Sequence, residues 1–400
     1  MSNSDIGSVS AAKSALPLRT RAAYGIGATA ESAITAAFNA FNFLFYNNVL
    51  ELSGTLCGLA VTIALVFDAI SDPLVGSISD RWRSRLGRRH PFLYAAPIPM
   101  ALCFYAIYSP PEGLGSMQLF AWFTTFTILL RTAQTFYQVP HLALGAEMTS
   151  DYRERSVLMS FNTIFGLVGN FAVFFLAWSY LGTIEGGQNN RDGYVTIATV
   201  IGVFTILVVF FSAYFTRDQI PKLSQPPDGL PAFNASQLRL EISECLNNEN
   251  YRTLVFGIFF LSATLGLHET LSSHLGIFFW ELPPNQMRYM IIGAPIGLTL
   301  ASFFTPRIHT RWSKRDALIA GILGMSGSVG IPIILRLIGL FPENGSDWIF
   351  PILCLFKGMS YCMSAIMVIS IASTLADVTD EHELLSGRRQ EGIFFAARSF

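Results

Sequence analysis

The sequence predicts an all-α polytopic membrane protein whose chain is organised as two six-helix halves. Three observations carry that prediction. Apolar stretches of spanning length recur along the chain, basic residues collect between alternate stretches, and one long polar segment divides the series. Composition agrees: 52% of the residues are hydrophobic and 13% charged, where an ordinary soluble domain has about 25% charged residues.

Residues 1–21 begin MSNSDIGSVSAAKSAL, a Ser/Ala-rich run without an apolar core. This reads as a flexible cytoplasmic tail and not as a cleaved signal. Apolar stretches then predict ten complete spans, at 22–48, 55–79, 91–109, 117–146, 156–183, 194–216, 253–280, 286–306, 316–340 and 348–375. Residues 22–216 form the N-terminal half, 217–250 a linker, and 251–400 an incomplete C-terminal half. The last stretch, from Gly392, is apolar for nine residues. At about 1.5 Å per residue it is too short to cross a bilayer, so the chain is expected to stop within an eleventh helix.

The basic residues follow the even-numbered spans: Arg81, Arg83, Arg85, Arg88 and Arg89, then Arg153 and Arg155, then Arg307, Arg311, Lys314 and Arg315, then Arg388 and Arg389. The opposite loops hold mainly Glu51, Glu112, Glu185, Glu281, Glu343 and Asp347. By the positive-inside rule the N-terminus and the linker are cytoplasmic. The linker starts Pro/Gly-rich and becomes amphipathic, and a short helix is expected from Ala235 to Leu246. Asn234 and Gln237 have capping-box spacing, with Phe233 and Leu238 at the positions of a hydrophobic staple.

A short internal repeat supports the division, because SDRWRSRLGRR after the second span has a counterpart in TPRIHTRWSKR after the eighth. Two such halves around a midplane site are the architecture of a secondary transporter. A net charge of -1 leaves no basic face for a nucleic acid. Cys57, Cys103, Cys245, Cys354 and Cys362 lack the spacing of a zinc or disulfide framework. No Gly-rich phosphate loop, His/Cys/Asp metal cluster or nucleophile motif points to an enzyme.

The second span raises a chemical question, because it carries Asp68 and Asp72. At i and i+4 they share one helix face, with Cβ atoms about 6 Å apart. Each charge at bilayer depth costs at least about 2.5–3.5 kcal/mol unless compensated. The helix itself offers no Lys or Arg at that depth. A small hard cation would compensate them, since it takes oxygen ligands. Pro73 adds to the patch by freeing the Ala69 carbonyl. A proton could replace the metal, because two close carboxylates resist double ionisation. Pairing with basic residues of neighbouring helices is the purely structural alternative.

The stretch DAISDPLVGSISDRWRSRLGRRHPFL resembles the signature of the glycoside-pentoside-hexuronide:cation symporters, the melibiose-carrier family of the major facilitator superfamily. YGIGATAES, VPHLALGAEMTSDYRERS and LADVTDEHELLSGRRQEGIFFAARSF resemble further family segments, in the same order and over nearly the whole chain. The resemblance implies a major facilitator fold and symport of a sugar, glycoside or related solute with a monovalent cation, Na+, H+ or Li+. It implies no cofactor, a bacterial inner membrane and a carrier that works as a monomer in the lipid bilayer.

It also implies that Asp68 and Asp72 are cation ligands and that Thr135 is a hydroxyl near the cation. Gly76, Asp80, Arg81, Gly87, Arg88 and Arg89 resemble the superfamily loop that closes the cytoplasmic side. Glu147 and Arg153 offer complementary charges after the fourth span, and Asp377 and Arg389 resemble the cytoplasmic loop before the eleventh. Plain positive-inside anchoring accounts for the same arginines.

At the sugar site the resemblance weakens. Where the melibiose-carrier pattern has an acid in helix one, an acid and a Trp in helix four and an Arg in helix five, this chain has Ser32, Gln138, Leu142 and Thr163. The expected pocket comprises Glu31, Ser32, Gln134, Gln138, Thr163 and Glu269, with the two aspartates on its cytoplasmic side. Loss of the acids is also compatible with an amphipathic or lipid-like solute, because the family's animal relatives include a sodium-coupled lysolipid carrier. A non-transporting membrane sensor is the remaining alternative. Arg131, His141, Asn162, Asn170, His268 and Lys357 also lie within spans and need partners there.

Overall fold

The computed structural model describes residues 16–149, 151–223 and 249–386. Its regular structure is helical, with no strand among the described residues. In the first part of the chain the helices are α1 (Leu18–Phe43), α2 (Gly54–Arg81), α3 (His90–Ala95), α4 (Pro97–Tyr108), α5 (Ser116–Glu147), α6 (Tyr152–Leu181) and α7 (Arg191–Thr216). After the linker come α8 (Glu249–His274), α9 (Pro284–Met287), α10 (Gly293–His309), α11 (Lys314–Leu337) and α12 (Ile349–Ser386). Each of the ten expected spans coincides with helix. The helix expected at 235–246 lies outside the described residues.

Local chemistry sets the boundaries. Pro17 starts α1, its carbonyl accepting from the amides of Thr20 and Arg21 at 2.9 and 3.1 Å. Ser313 caps α11 by accepting from the Asp316 amide at 3.1 Å. Pro97, as a helix-starting residue without an amide hydrogen, separates α3 from α4. α2 continues through Pro73 and α5 through Pro140.

The backbone contains a repeat that the residues alone did not announce. α1 runs into a π-helical turn, Leu44–Val49, and α8 into another, Leu275–Phe279. Phe45 O accepts from Leu50 and Tyr46 O from Leu52; Leu275 O accepts from Trp280 and Gly276 O from Leu282. Between each pair of donors sits a glutamate in the left-handed region, Glu51 at φ 57° and Glu281 at φ 52°. Among the described residues six helical stretches are long and apolar enough to cross a membrane by length and composition, in α3–α4, α6, α7, α9–α10, α11 and α12. The long helices outside that group, α1, α2, α5 and α8, are those that carry Glu31, Asp68, Asp72, Arg131, Gln134, Gln138 and Glu269.

Packing divides the chain into two compact units. The first takes in Met1–Thr35, Ala60–Asn170 and Ala198–Leu230; the second takes in Ala36–Leu59, Phe171–Ile197 and Pro231–Phe400. In the first unit α1 and α6 meet at small residues, where lipid gives no hydrophobic drive and close backbone contact must hold the helices. A Cβ on Gly169 would collide with the Thr29 carbonyl oxygen, and Thr29 Oγ1 donates to the Phe165 carbonyl at 3.2 Å.

In the second unit Phe41, Phe45, Tyr46, Trp178 and Tyr194 are fully buried. The rings of Phe41 and Trp178 lie 5.2 Å apart, and those of Phe45 and Tyr194 5.1 Å. The aromatic runs of α1 and α6 therefore supply packing core as well as lipid surface. Farther along the chain α10 packs on α12 through Gly293, Gly297 and Gly358.

Candidate functional site

The two aspartates of α2 face α5, and the pairing has two rungs. Asp68 and Asp72 are one helical turn apart, as are Arg131 and Thr135 on α5. Arg131 Nε lies 2.6 Å from Asp68 Oδ2, and Thr135 Oγ1 donates to Asp72 Oδ1 at 2.8 Å. Thr135 Oγ1 is also 3.2 Å from the Arg131 carbonyl, so a single hydroxyl hydrogen has two acceptors. Asp68, Asp72 and Thr135 thus lie together between α2 and α5. Arg131, to which the sequence reading assigned no role, joins them.

The Asp68–Arg131 contact is a charge contact and not an aligned hydrogen bond. Arg131 Nε and Asp68 Oδ1 are both buried atoms with no hydrogen-bond partner among the described residues. The Arg131 and Asp68 side chains keep 27% and 20% of their exposure.

The basic turn after α2 folds back onto the end of α5. Glu147 accepts from both arginines: Arg88 Nε reaches Oε2 at 3.1 Å, and Arg89 Nε and Nη2 reach Oε1 at 2.9 and 2.6 Å. Arg89, buried, also donates to Ser79 Oγ at 2.6 Å. The turn closes on Ser84, which donates to the Gly87 carbonyl at 2.7 Å; Gly87 has φ 74°, a conformation glycine adopts without strain. A Cβ on Gly76 would meet Val139 of α5 at ordinary contact distance, and Arg81 is exposed at the end of α2.

Arg21, which the sequence reading passed over at the head of α1, forms a two-pronged pair with Glu154. Its Nε and Nη2 lie 2.7 and 2.8 Å from the two carboxylate oxygens. In the second unit the corresponding basic turn is tied to α12: His309 Nε2 is 2.9 Å from Ser370 Oγ, and Lys314 Nζ donates to the Ser373 carbonyl at 3.5 Å. The expected side-chain roles of Asp80, Arg153 and Asp377, and Arg389 as a whole, lie outside the described residues.

Among the expected solute residues, Gln134 Nε2 donates to Thr35 Oγ1 at 3.2 Å, linking α5 to α1. Ser32 on α1 approaches Gly166 of α6. Gln138 and Thr163 are exposed, and the Thr163 hydroxyl donates to the Met159 carbonyl of its own helix at 2.9 Å. Glu31 is partly buried on α1. Glu269 belongs to the second unit, 3.4 Å from His268 Nδ1.

Comparison with known proteins decides the class. A family model described as MFS/sugar transport protein matches residues 23–400. The chain belongs to that family. Among its relatives is a protein named putative glycoside/cation symporter, from Escherichia coli K12, 24% identical over 96% of this chain and 79% of that one. Another, named sodium-dependent lysophosphatidylcholine symporter 1-A, from Danio rerio, is 29% identical over 40% of this chain and 31% of that one. The crystal structure of the nucleoside transporter NupG superposes with a TM-score of 0.69 at 12% identity, covering 95% of this chain and 87% of that one, which shows the fold.

This member of the MFS/sugar transport family is a multi-pass membrane transporter and not an enzyme. Beyond the expected residues it contains a buried stack that the sequence did not reveal as a unit. His141 lies between Tyr24 and Tyr137, with ring centroids at 4.5 and 5.1 Å, and its Nε2 is 3.1 Å from Asn162 Oδ1. The stack ties α1, α5 and α6 together, the interhelical role expected of a lone intramembrane His or Asn. In the second unit Lys357 Nζ donates to Ser272 Oγ at 2.8 Å, beside a cavity of about 70 Å³ lined in part by His268, Ser328 and Ser360. A larger cavity of about 300 Å³, between α3–α4 and α5, is lined mainly by apolar residues, among them Phe92, Pro99, Cys103, Leu129 and Phe136.

Proposed function

We propose that this transporter carries a sugar, glycoside or related small solute into the cell together with Na+ or H+, by alternating access of its 22–216 and 251–400 halves. The observation that carries the reading is the arrangement of Asp68, Asp72 and Thr135, which presents carboxylate and hydroxyl oxygens on facing helices. Hard monovalent and divalent cations are held by such oxygens, and an uncompensated carboxylate at this depth would cost about 2.5–3.5 kcal/mol or more. A cation that enters between α2 and α5 meets carboxylate and hydroxyl oxygens there, and symport follows when the solute binds the cation-loaded protein in preference to the empty one.

The clamp of Arg88 and Arg89 on Glu147 acts as the cytoplasmic gate, and Gly76, Asp80, Arg81, Arg153, Asp377 and Arg389 take the same role. Glu31, Ser32, Gln134, Gln138, Thr163 and Glu269 line the solute path. The carrier sits in the cell membrane with its N-terminus and its 217–250 linker in the cytoplasm, and works as a monomer. The name of the E. coli relative, a glycoside/cation symporter, supports this class of solute.

An amphipathic solute is the second reading. Two observations favour it: the exposed Thr163 spends its hydroxyl on its own helix, leaving less polar chemistry for a sugar, and the zebrafish relative is named for a lysophospholipid. The test is a panel of sugars, glycosides and lysolipids in sealed proteoliposomes with Na+, Li+ or H+ gradients. Cation-driven accumulation of a glycoside that Asp72→Asn abolishes, with protein insertion unchanged, is the expected outcome. Accumulation that ignores all three gradients would end the symport reading.

A further inference from the structure

The acid pair is already partly neutralised from within the protein. Arg131 Nε stands 2.6 Å from Asp68 Oδ2, and Arg131 lies on α5 one turn before Thr135, which holds Asp72. We propose that Arg131 is a tethered cation that competes with the coupling ion for Asp68, and so sets the carrier's cation affinity and selectivity. The inference rests on the reading of Asp68 and Asp72 as the cation site.

Three features of the geometry fit a displaceable partner better than a fixed structural bridge. The contact is not aligned as a hydrogen bond, and Asp68 Oδ1 is a buried oxygen without a partner among the described residues. A guanidinium placed to lock a carboxylate would engage both oxygens, as Arg21 does on Glu154 at 2.7 and 2.8 Å. Asp68 and Arg131 also retain partial exposure, so the side chain has room to withdraw when an ion arrives.

With Arg131 in place the pair carries one net negative charge instead of two. A second cation must then displace the guanidinium or bind beside it. At an effective dielectric near 20, the repulsion between two unit charges about 4 Å apart corresponds to well over tenfold in binding. Arg131 accordingly weakens cation binding and favours an ion that needs only Asp72 and Thr135. When an ion takes Asp68, the released guanidinium becomes a free positive charge beside α5. Each ion bound to Asp68 therefore repositions one internal charge.

The test uses Na+ and Li+ alone as probes, on the purified full chain in detergent, with calorimetric titration against choline chloride. The parent, Arg131→Gln, Arg131→Met, Arg131→Lys and Asp72→Asn are compared. Expected are Na+ or Li+ binding at least tenfold tighter in Arg131→Gln and Arg131→Met than in the parent, affinity within threefold of the parent in Arg131→Lys, and loss of binding in Asp72→Asn. Two neutral variants are included because one may fold poorly, and Arg131→Lys stands as the charge-keeping control. Equal affinity in the parent and a folded neutral variant, with binding lost in Asp72→Asn, would overturn the role of Arg131 while leaving the cation site intact. Binding that survives Asp72→Asn would overturn both, and absence of Na+ and Li+ binding from every protein would overturn the role of Arg131 as a competitor for a metal cation.

Discussion

Thr135 donates its hydroxyl hydrogen to Asp72 at 2.8 Å while the carbonyl of Arg131, one turn earlier on the same helix, waits 3.2 Å away. The hydrogen has two destinations, and the charged one wins while Asp72 is bare, because a bond to an ionised group is roughly twice as strong as a neutral one. In the cation site proposed above, an ion on Asp72 would let the hydrogen turn to the backbone and leave the hydroxyl lone pairs facing the ion, so that Thr135 would donate to the empty carboxylate and accept toward the loaded one.

This relationship predicts a graded series at position 135. Thr135→Ser keeps the hydroxyl and should leave half-saturation by the coupling cation within about threefold of the parent. Thr135→Val keeps the shape but removes the oxygen proposed to coordinate the ion, and where that loss outweighs the hydrogen bond given up by the empty carboxylate it should raise the half-saturating concentration by roughly tenfold or more. Cation titration of solute uptake in proteoliposomes reads the difference. Equal curves for Ser and Val would mean that the hydroxyl is not a ligand.

A second prediction concerns the shared carboxylate of the basic turn. Glu147 holds Arg88 and the buried Arg89 together. Deleting one partner of a buried charge group costs about 3–5 kcal/mol. Glu147→Ala should therefore lower the melting temperature of the detergent-purified protein clearly more than Arg88→Ala, which leaves the Arg89–Glu147 contact in place. If Arg88→Ala proves the more damaging, Glu147 is not the centre of the clamp.

Glycine contacts give a third. A Cβ on Gly297 would lie within clashing distance of Gly358 O and 2.8 Å from Cys362 N, whereas one on Gly330 would meet nothing within 4 Å. Gly297→Ala forces α10 away from α12 and should cost about 1–3 kcal/mol, the usual range for overpacking. Gly330→Ala in α11 should be neutral or stabilising by up to about 1 kcal/mol, since alanine is the better helix former. Thermal unfolding of both variants checks the contrast, and similar losses in the two would argue against close packing of α10 on α12.

How much of this was legible in the sequence follows from the range of each interaction. Helix positions were legible because apolar runs of spanning length are a local signal, and so was the shared face of Asp68 and Asp72, which helical periodicity fixes. The partners of those aspartates were not, because the meeting of α2 with α5 depends on packing between distant segments; Arg131 could be marked only as an intramembrane charge in need of a partner. Arg21 escaped notice for another reason: one residue short of the first apolar stretch, it looks like an ordinary positive-inside anchor, yet it grips Glu154. The π-helical turns left only a faint trace, a Glu-Leu pair after each aromatic-rich run, since backbone hydrogen-bond register is not written in side-chain hydropathy. The Tyr24–His141–Tyr137 stack follows the same rule as Arg131, being assembled from residues that are unremarkable one at a time.

The last prediction tests the solute path at Gln138. It is exposed on α5, one turn beyond Gln134, which is itself bonded to Thr35 of α1. A neutral amide there offers a sugar hydroxyl a neutral hydrogen bond, where the melibiose-carrier pattern has an acid that offers a charge-assisted one, about twice as strong. The parent protein should therefore bind simple galactosides poorly. Gln138→Asp should strengthen nitrophenyl-galactoside binding by roughly fivefold, the equivalent of about 1 kcal/mol for exchanging a neutral hydrogen bond for a charged one. Binding is measured on purified protein, parent against variant, at saturating cation. The same charge added within the membrane carries its own cost, so a modest loss of stability in Gln138→Asp is expected and does not bear on the outcome. An unchanged galactoside affinity, joined to normal transport of the true solute by Gln138→Ala, would remove Gln138 from the solute path and leave α5 with the cation site alone.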